Sequence, residues 1–178
     1  TNSAYSLTLN AGSGSVSLGA LGATADSQTG VPLAALTITG TGANTLAGSI
    51  SSTGNINLGT GRATSIASSL TIGSGSGAMT LGDLTLANGI SLVLGDAGSG
   101  NISVASIAGQ SGGTSNVTFS NSGTVNVSGD LKTGIGTLWL NKVAGAVTFG
   151  GSTQVTQLRT DGSATYNLSL TGASNSVA

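Results

Sequence analysis

A short pattern recurs along this chain at an almost constant interval, and this recurrence restricts the fold more than any other feature of the sequence. The pattern is a glycine followed by apolar residues that alternate with polar ones, as in GAMTLGDL at 77–84. Successive copies begin at Gly14, Gly54, Gly77, Gly100, Gly123 and Gly145. The residue numbers of neighbouring copies differ by 40 at the first step and then by 23, 23, 23 and 22. We expect the long first step to hold one irregular coil, in the segment 33–50.

The alternation identifies the repeated element as a half-buried β-strand, because side chains with a period of two lie on opposite sides of a sheet. A second alternating segment precedes most copies, and a weaker third apolar step follows most of them. Glu is absent and 31 glycines interrupt any helical run. A fixed period in an all-β chain predicts a right-handed parallel β-helix (β-solenoid) with about 22–23 residues per coil. About eight coils would form one domain over residues 1–178 and a rod ~40 Å long.

An antiparallel sandwich is the alternative all-β fold, since it also contains short strands with turns between them. A sandwich does not explain why the pattern returns at so constant an interval. The sequence therefore favours the solenoid.

In a solenoid, equivalent residues of successive coils stack, so the alignment predicts three inward ladders. The first ladder is Val16, Ile56, Met79, Ile102, Val125 and Val147. The second ladder is Leu18, Leu58, Leu81, Val104, Val127 and Phe149. The third ladder comes from the preceding strand and is Leu7, Leu70, Leu92, Val117, Leu138 and Leu168.

The outward positions are mostly Ser, Thr and Asn. One outward column is Ser17, Asn57, Thr80, Ser103, Asn126 and Thr148. The other is Thr8, Thr71, Val93, Thr118, Trp139 and Ser169. A flat threonine array would indicate ice binding, but the first column is mixed and Val93 and Trp139 interrupt the second. An exposed Trp139 beside Val93 is a candidate contact with another chain or a glycan, and a flanking loop that covers it is the alternative.

Composition excludes several classes of function. The net charge is −1, so the chain lacks the basic footprint of a nucleic-acid-binding protein. It has no His and no Cys, which excludes Ser-His-Asp and Cys-His catalysis and the usual zinc sites. Apolar runs are too short for a membrane-spanning helix. We expect no cofactor and no metal.

Carboxylates are the remaining candidates for chemistry. Asp83 and Asp130 occupy the same place in two Gly-Asp-Leu segments, two coils apart and thus separated by roughly 10 Å. That separation is at the upper limit for an inverting acid–base pair, so we expect exposed turn residues and no enzyme. Asp96, with Asn101 nearby, is a weak candidate for calcium, because calcium needs several oxygen ligands at once.

Two segments resemble the repeats of large bacterial surface exoproteins of the filamentous-haemagglutinin-like type. They are GVPLAALTITGTGANTLAGSISSTGNINLGTG at 30–61 and STQVTQLRTDGSATYNLSLTGASNSV at 152–177. Within the chain, LTITGTGANTL at 36–46 is similar to LSLTGASNSV at 168–177. The resemblance implies a right-handed parallel β-helix, export across the outer membrane, and a role in adhesion, biofilm or extracellular filaments. It implies no catalytic residues.

Together, these observations predict a non-enzymatic structural subunit, or a segment, of a bacterial cell-surface or extracellular fibre. The chain begins at Thr1, which we interpret as a mature or excised segment of a secreted protein. The expected partners are other copies of the chain, end to end or side by side, and host or matrix glycan. The alternative is an adhesin module that binds glycan or protein around Trp139. A polysaccharide-active enzyme and an ice-binding protein are further alternatives.

Overall fold

The computed structural model describes residues 4–22, 31–121, 123–161 and 165–178 of the chain. Its regular structure consists of twenty β-strands, and the described residues contain no helix. The strands pair in parallel with equivalent strands of the coils before and after them. The chain therefore forms a parallel β-solenoid, which confirms the fold class predicted from the repeat. Nowhere in the described ranges does a helix occur that could cross a membrane.

Each complete coil runs along three faces, called here the first, second and third face in chain order. The first face consists of β1 (Ser6–Asn10), β3 (Ala35–Thr39), β6 (Ile56–Asn57), β9 (Met79–Leu86), β11 (Ile102–Ala108), β13 (Val125–Val127), β16 (Val147–Phe149) and β19 (Leu168–Leu170). The second face consists of β2 (Val16–Leu18), β4 (Asn44–Leu46), β7 (Ala63–Ile66), the second halves of β9 and β11, β14 (Leu131–Lys132), β17 (Thr153–Val155) and β20 (Asn175–Val177). The third face consists of β5 (Ile50–Ser51), β8 (Leu70–Gly73), β10 (Ser91–Leu94), β12 (Ser115–Ser120), β15 (Ile135–Asn141) and β18 (Gln157–Thr160).

The inward side chains of the three faces enclose one continuous apolar core. One first-face ladder runs through Leu7, Leu36, Ile56, Met79, Ile102, Val125, Val147 and Leu168. The neighbouring ladder includes Leu81, Val104, Val127, Phe149 and Leu170. Leu58 is buried beside this ladder, and its N–H donates to the Thr80 carbonyl at 3.0 Å. The third-face ladder runs through Leu70, Leu92, Val117, Leu138 and Leu158.

Val16 and Leu18 do not belong to the ladders in which the sequence placed them. Val16 pairs with Asn44 and Leu18 pairs with Leu46, both on the second face, so the predicted stacking on Ile56 and Leu58 is wrong. The physical reason is that β1 and β2 both alternate apolar and polar residues, so alternation alone does not distinguish the two faces.

The same phase error affects the ends of the predicted third ladder. Leu7 pairs with Leu36 and Leu168 pairs with Val147, so both lie on the first face. In this register, the residue-number steps along the first face are 29, 20, 23, 23, 23, 22 and 21. The segment 33–50, expected to be irregular, holds β3 and β4 and the first residue of β5.

The number of complete turns is smaller than expected. In the described part of the chain the first face has eight strands and the third face has six. The solenoid therefore completes about six turns, not eight.

Five of the glycines that open the repeated pattern stack on one another at one corner of the solenoid, and they are Gly54, Gly77, Gly100, Gly123 and Gly145. A Cβ atom added to Gly100 would overlap the carbonyl oxygen of Gly77, and one added to Gly77 would overlap the carbonyl carbon of Gly54. The coils approach so closely at this corner that no side chain fits. Close backbone approach therefore explains why the five copies that form first-face strands begin with glycine.

Candidate functional site

Trp139 lies on the outer side of the third face, in β15, between the buried residues Leu138 and Leu140. It is half-buried and pairs in register with Thr118 of β12 and Arg159 of β18. The Arg159 guanidinium carbon lies 4.6 Å from the centroid of the Trp139 ring, which is a cation–π distance. The outward direction of Trp139 is thus the one expected, but Arg159 from the next coil covers part of its aromatic surface.

Val93 lies in the same outward column, two coils before Trp139. It pairs with Thr71 on one side and with Thr118 on the other, and it is half-buried. Because Thr118 separates the two apolar side chains, Val93 and Trp139 do not form one apolar patch.

A polar groove of about 600 Å³ lies on the third face. It is lined by Thr114, Asn116, Gly136, Thr137, Thr156, Gln157 and Ala178. The Thr137 N–H donates to Asn116 Oδ1 at 3.0 Å, and the Thr137 hydroxyl contacts Gln157 Oε1 at 3.4 Å. Thr137 precedes Trp139 by two positions in the same strand, so it points to the same outer side. An aromatic ring beside hydroxyl and amide groups is the combination that binds the apolar face and the hydroxyls of a sugar.

The outward column of the first face consists of small polar side chains in all eight strands. Its members are Thr8, Thr37, Asn57, Thr80, Ser103, Asn126, Thr148 and Ser169. Thr8 and Ser169, predicted to lie in the column of Trp139, therefore belong here, while Ser17 lies on the second face opposite Thr45. The mixture of Thr, Ser and Asn is not the uniform threonine array that would indicate ice binding.

Asp83 and Asp130 lie in one outward column of the second face, with Ser106 between them. The Ser106 hydroxyl donates to Asp83 Oδ1 at 2.6 Å. Asp130 forms an ion pair with Lys132 at 2.6 Å, and its Oδ1 accepts the Ser152 N–H at 2.9 Å. The bond from Lys132 is the main cause, and that from Ser152 the second, of a pKa of Asp130 below its ordinary value. Asp130 is thus ionised at neutral pH, which is unsuited to a general acid.

Asp96 contacts backbone groups at a turn. Its two carboxylate oxygens accept the N–H groups of Gly75 and Gly98, both at 3.3 Å. In the described ranges, no three His, Cys, Asp or Glu side chains come together as metal ligands would. The contacts of Asp96 are therefore those of a turn residue.

Arg62 is a buried charged residue that the sequence patterns did not single out. It is 2% exposed and lies at the corner between the first and second faces. Its Nη2 donates to Asn44 Oδ1 at 2.9 Å and its Nη1 to the Thr39 carbonyl at 3.3 Å, while Nε has no hydrogen-bond partner in the described residues. Asn44 in turn donates to the Leu58 carbonyl at 2.9 Å and to Thr64 Oγ1 at 3.1 Å. The available sequence signal was the GTGR insertion at 59–62, which lengthens this corner.

The two ends of the solenoid expose large apolar side chains. Tyr5 is 76% exposed at the first coil, and Leu170 and Val177 are 37% and 53% exposed at the last coil. Their stacked neighbours one coil inward, Phe149 and Val155, are buried. At both ends, side chains in core positions are therefore exposed, because no further coil of the described chain covers them.

The fold defines the chain as a parallel β-solenoid. Comparisons with protein-family models, with curated proteins and with solved structures found no match.

Proposed function

We propose that the chain is a non-enzymatic structural segment of a bacterial cell-surface or extracellular fibre. The observation that carries this proposal is the unbroken first-face ladder, which runs from Leu7 to Leu168 through every described coil. Each internal strand of this face is hydrogen-bonded on both sides, so bending the rod would strain many bonds together. The proposed mechanism is thus mechanical, and the chain acts as a stiff spacer.

The placement of the basic residues supports a role outside the cell, where proteases act. The chain has four Lys and Arg residues. Arg62 is buried, which leaves three at least partly exposed basic residues, Lys132, Lys142 and Arg159, as cleavage positions for a trypsin-like protease. The resemblance of 30–61 and 152–177 to filamentous-haemagglutinin-like repeats also favours a secreted, cell-surface location.

Immunogold electron microscopy tests this function directly. Antibodies raised against the purified chain should label fibres on the surface of intact cells of the source organism, or fibres shed from them. Labelling confined to the interior of sectioned cells would contradict the proposal.

A second candidate function is an adhesin module that binds glycan through the third face. The observation that favours it is the outward Trp139, oriented by Arg159, beside the polar groove of Asn116, Thr137 and Gln157. Binding to an array of host and matrix glycans should be lost in Trp139→Ala. The matched control is Val93→Ala, which removes an outward apolar side chain of the same column and should bind as the wild type does. Equal binding by Trp139→Ala and the wild type would reject this candidate.

A further inference from the structure

The first and last coils of the chain carry the same sequence pattern. The first coil reads YSLTLNAG from Tyr5, and the last reads YNLSLTGA from Tyr166. Each tyrosine precedes by two positions a terminal member of the same first-face ladder, Leu7 in the first coil and Leu168 in the last. These are the only two tyrosines in the chain. Equivalent aromatic residues therefore lie in the first and the last coil of the described chain.

Both ends have a strand edge that is unpaired within the described chain. On the first face, β1 pairs with β3 and β19 pairs with β16. On the second face, β2 pairs with β4 and β20 pairs with β17. Soluble β-proteins normally protect such edges with charged residues, proline or a bulge. The described end segments 4–22 and 165–178 contain no charged side chain and no proline. The side chains of the two ends therefore do not repel one another electrostatically.

The hydrogen bonds inside the solenoid define the register in which another coil would add. An inward residue donates its N–H to the carbonyl that precedes its partner in the next coil, as Met79 does to Asn101 at 2.8 Å and Val147 does to Asn167 at 2.9 Å. The return bond runs from Gly150 N–H to the Val127 carbonyl at 2.8 Å.

Continued by one coil, this pattern pairs the C-terminal edge of one chain with the N-terminal edge of another. The Leu168 N–H would donate to the Ser6 carbonyl, and the Asn10 N–H would donate to the Leu170 carbonyl. Leu168 would then lie on Leu7 and Leu170 on Leu9, as leucine, isoleucine and valine stack inside the rod.

We propose that a second copy of this chain docks head to tail, with β19 and β20 of one copy against β1 and β2 of the next. This inference rests on the proposed function as a rod, and it identifies the partner that lengthens the rod. In this junction Tyr166 lies on Tyr5 at the ~4.8 Å spacing of paired strands, so the two rings can stack. Leu170 and Val177 lose their exposure to water, which drives the association.

Disulfide trapping tests the junction, because the chain contains no cysteine of its own. Neighbouring strands place Cα atoms within the range that a disulfide spans. A mixture of Tyr5→Cys and Tyr166→Cys chains should oxidise to heterodimers, while either variant alone should stay uncrosslinked. The control mixture is Tyr5→Cys with Ser176→Cys, which should also stay uncrosslinked, since Ser176 lies on the second face and is expected opposite Ser17.

A second variant tests the same junction without a crosslink. Leu170→Asp would place a charge in the contact and should weaken association by roughly tenfold or more in sedimentation velocity. Ser169→Asp, on the outward side of the same strand, should associate nearly as the wild type does. The proposal would be overturned if homodimers were trapped through the same residue or if no species were trapped. It would also be overturned if the wild type and Leu170→Asp associated equally.

The experiments can reject the junction and the fibre function separately. Surface fibres labelled by antibody, together with a chain that stays monomeric and untrapped, would remove the junction alone. Head-to-tail dimers formed by a chain that antibodies find only inside cells would remove the fibre function alone.

Discussion

Arg62 places a charged side chain inside an otherwise apolar solenoid, and Asn44 is the side chain that makes this possible. Asn44 accepts from the guanidinium and donates to two oxygens, so one amide connects the coils of β4 and β7. The described residues offer Arg62 no carboxylate partner. When only neutral groups bind a buried charge, the stability of the fold depends strongly on each of those groups, because any lost hydrogen bond leaves a desolvated charge.

Asn44→Ala should therefore lower the free energy of unfolding by about 1.5–3 kcal/mol, the range for a hydrogen bond to a charged group. Asn175→Ala is the matched control, since Asn175 occupies the same second-face column at the exposed last coil. It should lose only about 0.5–1.5 kcal/mol, the net value of an ordinary hydrogen bond. Urea denaturation followed by circular dichroism measures both values. Equal losses would show that Asn44 is not the support of Arg62.

Asp130 predicts an acid-dependent loss of stability. Its pKa is lower in the folded chain than the ordinary value of 3.8, because of the bonds from Lys132 and Ser152. A lowered folded pKa contributes stability that is present above the ordinary value and is lost as the pH falls through the folded value. Below pH 3.8, the wild type should therefore approach the stability of Asp130→Asn, which cannot form the ion pair. Urea midpoints measured from neutral to strongly acidic pH would test this, and a constant difference between the two proteins would contradict it.

At the scale of the coil, the stacked glycines determine how closely successive turns approach. Gly54, Gly77, Gly100 and Gly123 form a glycine ladder beside the first-face strands, where each backbone lies against the next. The apolar ladders then continue in register from this corner. The glycines therefore allow the coils to approach closely at this corner, and the apolar residues fill the core.

Gly100→Ala should destabilise the solenoid, since the new Cβ would overlap the Gly77 carbonyl oxygen and backbone must move. Overpacking of this kind lowers the free energy of unfolding by about 1–3 kcal/mol or more. Gly19→Ala is the control, because a Cβ there meets nothing within 4 Å. It should change stability by about 0.5 kcal/mol or less. Thermal melts of the two variants make the comparison, and similar melting temperatures would contradict the role assigned to the glycine ladder.

The sequence predicted the middle coils well, because the spacing of their patterns is nearly constant and each pattern begins with the same glycine. The pairings of Met79 with Ile102 and of Leu81 with Val104 follow from that spacing. At the N-terminal end, the pattern predicts Val16 on the first face, whereas it lies on the second face, since an alternating pattern fits any face of a solenoid. The contact of Arg159 with Trp139 joins adjacent coils. The repeat does not predict this contact, because the step from Trp139 to Arg159 is 20 residues and not 22 or 23.

For the whole molecule, stability should vary along the rod. A strand in the middle is paired on both sides, whereas β1 and β19 are paired on one side within the described chain. In a stacked repeat fold, each coil is stabilised mainly by its own residues and by its two neighbours. The end coils lack one neighbour, so they open first.

Hydrogen exchange measured by mass spectrometry should therefore show slow exchange in β9 and β11 and fast exchange in β1 and β19. The proposed head-to-tail junction adds a dependence on concentration, because docking gives each end coil its missing neighbour. Raising the protein concentration should slow exchange in β1 and β19 while leaving β9 and β11 unchanged, and Leu170→Asp should abolish that change. Uniform exchange along the chain would contradict the dependence on neighbours. Fast ends at every concentration would instead show that the ends open as expected but that no second copy covers them.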